Sequence, residues 1–145
     1  MPHESSFDIR TAQCFLNKLI IPQYKDFLKD NASSRHALLT TILLFHMFEW
    51  ANQGKKATVE SFKKAYPDYP ELAFNFGILK DISNGTKHFK SPIRTKKKTG
   101  FSSAFSDGFE RPHSVEDDNG KVYPLDKLLR ETVEFWQKQD ELGNL

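Results

Sequence analysis

Apolar residues recur at helical spacing through most of the chain and lose that spacing between residues 89 and 124. Ile9, Ala12, Phe15, Leu16, Leu19, Ile20, Tyr24, Phe27 and Leu28 form one stripe, which predicts a first helix capped by Ser5 or Ser6. Its phase survives Pro22, so a kink or two abutting helices are expected there, with Asp30-Asn31 as the end. A second helix runs from Ser33 or Ser34 to Asn52, where Gly54 offers a left-handed stop. Leu38, Leu39, Ile42, Leu43, Phe45, Met47, Phe48 and Trp50 leave it only a thin polar stripe, so it should be central and contacted on several sides. Thr58 caps a short helix that ends before Tyr66-Pro67. Pro70 opens the next at its favoured first position, with Leu72, Phe76, Leu79 and Ile82 inward and Gly85 at its end or at a break before His88.

Beyond residue 89, Ser, Thr, Pro and Gly accumulate. Lys90–Thr99 reads as a strand and Gly100–Pro112 as a mobile loop carrying Phe101, Phe105 and Phe109. Val115–Asp118 and Lys121–Tyr123 flank Asn119-Gly120, a hairpin signal of type I′ with two positive φ angles. Asp126 is positioned to cap the last helix, whose Leu128, Leu129, Val133 and Trp136, with Gln139 and Leu142, should face inward. The expected fold is mainly α: a single domain over residues 1–145, a bundle of four to five helices with a β-hairpin excursion at about 89–124 before the C-terminal helix.

Thirteen Phe, four Tyr and two Trp in 145 residues bias the core towards aromatic packing. The net charge of +2 is uninformative, but its distribution is not. Lys80 to Lys98 holds seven Lys/Arg and one Asp, and Asp107 to Asp118 holds five Asp/Glu and one Arg, so a basic arm precedes an acidic one. Cys14 has no partner for an intramolecular disulfide, and the first residues lack a basic and apolar leader, which together lead to the expectation of a cytoplasmic protein. The longest apolar tract, Ile42–Phe48, is too short to span a bilayer, so no membrane partner is expected. Cys14 lies beside Phe15 and Leu16 and reads as a packed core thiol. Gly-rich phosphate loops, nucleophile elbows and paired-Cys zinc patterns are missing, so no cofactor is expected.

The densest chemistry lies between Leu79 and Phe89. An imidazole is the simplest general base near neutral pH, and a neighbouring cation can hold a phosphate. His88 and Lys87 supply these types, with Lys80, Asp81 and Asn84 upstream; on a helix all share one face or its border. A purely structural role fits the same residues, with Lys87 favourable at a helix C-terminus and His88 bonded to a carbonyl or to Glu49. His46 and Glu49, three apart on the second helix, are the polar break in its apolar surface and can orient His88. A metal site there would need further ligands at helical spacing. None is present, so no metal is expected, and a buried polar network with His36 or His88 fits better. Lys90, Arg94, Lys96, Lys97 and Lys98 form an arm able to contact phosphates, or else a solvated hairpin edge that the acidic stretch at Glu116-Asp117-Asp118 neutralises.

Lys80-Asp81 followed by His88 resembles the motif of HEPN-fold proteins, small helical bundles. In that family an Arg, then a polar residue, then a His lie near the start of a late helix. Here Lys80 stands in the place of the Arg and the spacing is longer. The resemblance implies a metal-independent RNase or nucleotide-directed enzyme of a bacterial or phage defence or toxin system. In it a homodimer would bring two motifs together, with His88 as base, Lys87 and Lys80 as phosphate clamps, and Asp81, Asn84 and Glu49 orienting. The other function that fits is a non-catalytic adaptor or regulatory module. It would bind a protein or nucleic acid through the hairpin and basic arm. The expected partners are RNA or another phosphate-bearing ligand and a second copy of the chain.

Overall fold

A computed structural model describes residues 6–88, 93–97 and 112–145. Lys90, Lys98 and the Phe101, Phe105 and Phe109 triplet lie outside the described residues. Helix α1 (Ala12–Phe15), a π-helical turn (Leu16–Ile20) and α2 (Ile21–Lys29) form one rod. Then come α3 (Ser34–Ala51), α4 (Val59–Ala65), α5 (Pro70–His88), strands β1 (Arg94–Lys97), β2 (His113–Glu116) and β3 (Val122–Pro124), and α6 (Leu125–Glu141). Counting the rod once, the described residues form five helices and a small antiparallel sheet ahead of the last helix, as the periodicity implies.

The first helix starts later than expected. Residues Ser6–Asp8 form a separate turn in which Phe7 and Asp8 have φ of 53° and 64°. The cap is Thr11, whose side chain accepts from the Cys14 amide. The disturbance tied to Pro22 is resolved by the π turn. Pro22 has no N–H to donate one turn back, and the wider turn just before it closes with the Ile21 amide on the Leu16 carbonyl. The stops and caps at Asp30, Ser33, Thr58 and Gly54 stand where expected, Gly54 with φ of 84°.

Helix α3 is central, packing against α1, the π turn, α2, α5 and α6. Its inward row is Ala37, Thr40, Thr41, Leu44, Phe45, Met47 and Phe48, while Leu39 is exposed. The two threonines are tolerated inside because their hydroxyls donate to the His36 and Ala37 carbonyls at 2.7 and 2.8 Å. Phe48, Phe62, Phe76, Phe135 and Trp136 fill the centre. The half-buried Tyr66 closes their rim, its hydroxyl accepting from Asn52 Nδ2 at 2.8 Å.

Helix α5 does not stop at Gly85. A glycine inside a helix costs only about 1 kcal/mol, and buried Ile82 and Ser83 anchor the turn before it. The Thr86 hydroxyl also donates to the Ser83 carbonyl at 2.7 Å. Gly77 lies where α5 meets α4, and a Cβ there would sit 3.2 Å from Val59 Cγ2. Gly77→Ala should therefore be nearly neutral, its helix-propensity gain offset by the contact. In a Val59→Ala background the same change should stabilise by about 0.5–1 kcal/mol; urea denaturation of the four proteins measures the difference.

The hairpin closes otherwise than Asn119-Gly120 suggests. Of the two, only Gly120 has positive φ, at 82°. The Asp117 carboxylate accepts from the Asn119 and Lys121 amides, both at 2.9 Å, and Gly120 N–H donates to the Asp117 carbonyl. This is a type I turn followed by a glycine bulge, selected by the side chain of Asp117. The N-cap of α6 is Pro124 rather than Asp126, which falls in the first turn. Gln139 is buried, whereas Leu142 is exposed. The sheet, in order β1-β2-β3, packs on α6 and reaches α5 through Tyr123 against Phe74, ring centres 5.0 Å apart.

Candidate functional site

Because α5 is continuous to His88, Lys80, Asp81, Asn84, Lys87 and His88 occupy a single arc of one helix. They do not form a cluster. Eight residues of helix separate Lys80 from His88 by about 12 Å along the axis. Lys87 and His88 are exposed, and Lys80, Asp81 and Asn84 are half-buried. Asp81 turns towards the sheet, lining a cleft of about 430 Å³ with Lys63, Phe74, Ile93 and Asp117. Burial raises its pKa above the ordinary carboxylate value; neighbouring Lys80 opposes this and Asp118 adds to it.

The buried network expected from His46 and Glu49 does not form. Both are exposed. With the core-facing row of α3 centred on Leu44, the roughly 100° step per residue carries positions 46 and 49 to the opposite side. They border a shallow cleft with Phe15, Leu43, Trp50 and Gln53. His36 is engaged elsewhere, its Nδ1 2.9 Å from Gln23 Nε2. Cys14 is half-exposed rather than packed in the core, and the Thr11 hydroxyl, then the Arg10 backbone, lower its thiol pKa.

The described part of the basic arm is strand β1, exposed at every position. Strand alternation divides it into two faces. Arg94 and Lys96 share the carboxylate of Glu116, at 2.7 and 3.3 Å, so the acidic stretch does neutralise part of the arm. Thr95 and Lys97 pair in register with Val115 and His113. Cross-strand partners share a face, and Val115 and His113 are the buried residues of β2. Lys97 therefore lies on the helix side of the sheet, where an apolar residue is the rule.

Beside Lys97 is a pocket of about 180 Å³ between the first two turns of α3 and the β1–β2 ladder. Its polar lining is Ser34, Thr41, Thr95, Lys96, Lys97 and His113. Ser33 Oγ caps the His36 amide and the Ser33 carbonyl receives the Ala37 amide, which leaves the Ser34 and Arg35 amides with no partner inside the helix. His113 is 9% exposed, and its Nε2 is shut from solvent with no hydrogen-bond partner. The backbone of Ala32, Ser33 and Asn31 lies against the ring and favours its charged form. The residue spacing had pointed to Lys96 and Lys97 but not to His113, which joins them through sheet register.

Burial, then Lys97, lower the His113 pKa below 6.5 against the favourable backbone contacts. The folded chain thus binds fewer protons than the unfolded chain just below that value. This stabilising contribution is complete above pH 6.5 and is lost as pH falls towards the folded pKa. Asp81 acts with the opposite sign above the ordinary carboxylate range, its contribution being lost as pH rises. Urea denaturation at about pH 7.5 and about pH 5.5 should show a steeper acid loss for the native chain than for His113→Gln.

Among the described residues, no group of three or more His, Cys, Asp or Glu side chains is placed to hold a metal ion, and no helix is long and apolar enough to cross a membrane. Comparisons with protein-family models, curated proteins and solved structures found no match.

Proposed function

We propose that the chain is a non-catalytic binding module that engages RNA, or another phosphate-bearing ligand, through strand β1. The observation that carries this is the set of cations Arg94, Lys96 and Lys97 on a strand exposed at every position, the first two on the outer face beside Glu116 and Lys97 on the helix side, where packing alone gives it no role. Cations held on a rigid element track a polyanion with little loss of side-chain order. The test is fluorescence anisotropy of labelled single-stranded RNA across a salt series. Binding that weakens linearly in log–log form as salt rises supports the module; failure to bind at low salt, or binding indifferent to salt, rejects it. An acidic protein captured in place of RNA would redirect the same surface to a protein partner.

A second reading, an RNase of the HEPN kind, is favoured by the shared arc of Lys80, Asn84, Lys87 and His88 on the unbroken α5. A second copy of the chain would have to bring the paired motif. That reading requires RNA cleavage that survives chelator and is lost in His88→Ala with folding intact.

A further inference from the structure

One face of α3 is left over by the packing. Arg35, Leu39, Ile42, His46 and Glu49 follow one another at steps of four, three, four and three. That spacing lays them in a single seam, opposite the inward row. Arg35, His46 and Glu49 are exposed, Leu39 is 42% exposed and Ile42 is half-buried. Leu38, Leu43 and Trp50 on the flanks pack against the core; among the described residues, Ile42 does not. Helix α3 thus turns two threonines inward and a leucine and an isoleucine outward. Packing within the chain does not call for that arrangement, and a helix apolar on both sides is ordinarily covered on both.

We propose that this seam pairs with the same seam of a second copy of the chain, the two α3 helices running antiparallel about a two-fold axis at Ile42. Charge selects both the occupant and the direction. Arg35 and Glu49 each lie seven residues from Ile42, on opposite sides. An antiparallel pair therefore sets Arg35 against the partner's Glu49, twice per dimer. A parallel pair would set like charges together. Among the described residues, neither side chain makes an ion pair within its own chain. The shallow cleft beside Trp50, of about 350 Å³, fits the same register. Its His46, Glu49, Trp50 and Gln53, the last just past the helix end, have the spacing of the four-residue hole that receives a knob from a facing helix. The register brings the partner's Arg35 over this hole, where a carboxylate and an indole ring both attract a guanidinium. An eighteen-residue helix is only about 27 Å long, so the interface is small and the dimer reversible. Helix α5 packs on the other side of α3, so this is not the pairing that would join two Lys80–His88 arcs. Nor does it depend on the reading of β1.

The experiment is sedimentation velocity of the full chain from about 1 μM to about 500 μM. The native chain should pass from monomer to dimer within that range. Leu39→Lys, Arg35→Glu and Glu49→Arg should each weaken the dimer by about tenfold or more. All three positions are exposed, so the variants should fold. Arg35 lies in the first turn of α3 and Glu49 in the last, so both charge reversals suit the helix dipole and should not lower the melting temperature of the dilute monomer. Arg35→Glu and Glu49→Arg combined in one chain restore the two opposed pairs and should recover most of the affinity lost by either alone. A chain that stays monomeric throughout overturns the proposal and leaves the face to a different partner. A dimer indifferent to Leu39→Lys overturns it too, as do single charge variants whose combination recovers nothing.

Discussion

Replacing Phe62 by alanine should lower the unfolding free energy by about 3–5 kcal/mol, the usual cost of removing a buried aromatic ring. Helix α4 spans only Val59–Ala65, far too short to be stable without packing. Phe62 is its anchor. It is 2% exposed, and its ring centre lies 5.8 Å from Phe48 on α3, 5.0 Å from Phe76 on α5 and 5.7 Å from Phe135 on α6. Truncation opens a void bordered by three helices that are held by other contacts, so the surroundings cannot close on it. In a domain stabilised by about 5–15 kcal/mol, this is a large fraction of the total. The melting temperature should fall by about 10–15 °C. Phe62→Leu, which keeps most of the volume, should cost less than about 1.5 kcal/mol. A loss below about 1 kcal/mol for the alanine variant would mean that α4 is not held through this ring.

Reversing the charge of Lys97 should weaken RNA binding by about tenfold and more than the same change at Lys96. Both lysines lie on an exposed strand, so composition alone ranks them equally. Their partners separate them. Lys96 Nζ is 3.3 Å from Glu116 Oε2, an oxygen already 2.7 Å from Arg94, so part of its charge is spent within the sheet. Lys97 faces His113 and the start of α3, where its field adds to that of the helix end. The salt series gives a second readout. Loss of one phosphate contact to a single strand reduces the log–log slope by about 0.7. Lys97→Glu should show that reduction, and Lys96→Glu a smaller one. Equal effects would place the ligand on the outer face of β1 rather than towards the pocket.

Much of the fold was legible because the signals are local. Ser33 and Thr58 cap the helices that follow them, and Pro70 opens α5. Each depends on one side chain and the next three amides. The failures arose where a second group competed. Asn119-Gly120 is a hairpin signal on its own, but Asp117 two residues earlier bonds the turn amides and selects a different turn. Gly85 resembles a stop, yet α5 runs through it on buried neighbours. The inward rows of α3 were partly misread because its surface is apolar nearly all round. Leu39 ended outside, while Thr40 and Thr41 went in by bonding their own helix.

The candidate site was half legible for a related reason. A run of lysines is visible as composition, so Lys96 and Lys97 stood out. His113 did not, since nothing near it in the chain marks it. Its role depends on the register that sets it opposite Lys97 and on the loop before α3 that meets its ring. The distance between Lys80 and His88 illustrates the converse. Residues close in the chain and alike in chemistry remain apart when one helix carries them both.

The most direct test of the binding-module claim is one incubation of labelled RNA with the purified chain in chelator, divided between a native and a denaturing gel. Recognition by β1 without catalysis predicts RNA that is retarded on the native gel and full-length on the denaturing gel, with retardation weakened in Lys97→Glu and unchanged in His88→Ala. RNA shortened by the native chain and left whole by His88→Ala would contradict it and return the function to the end of α5.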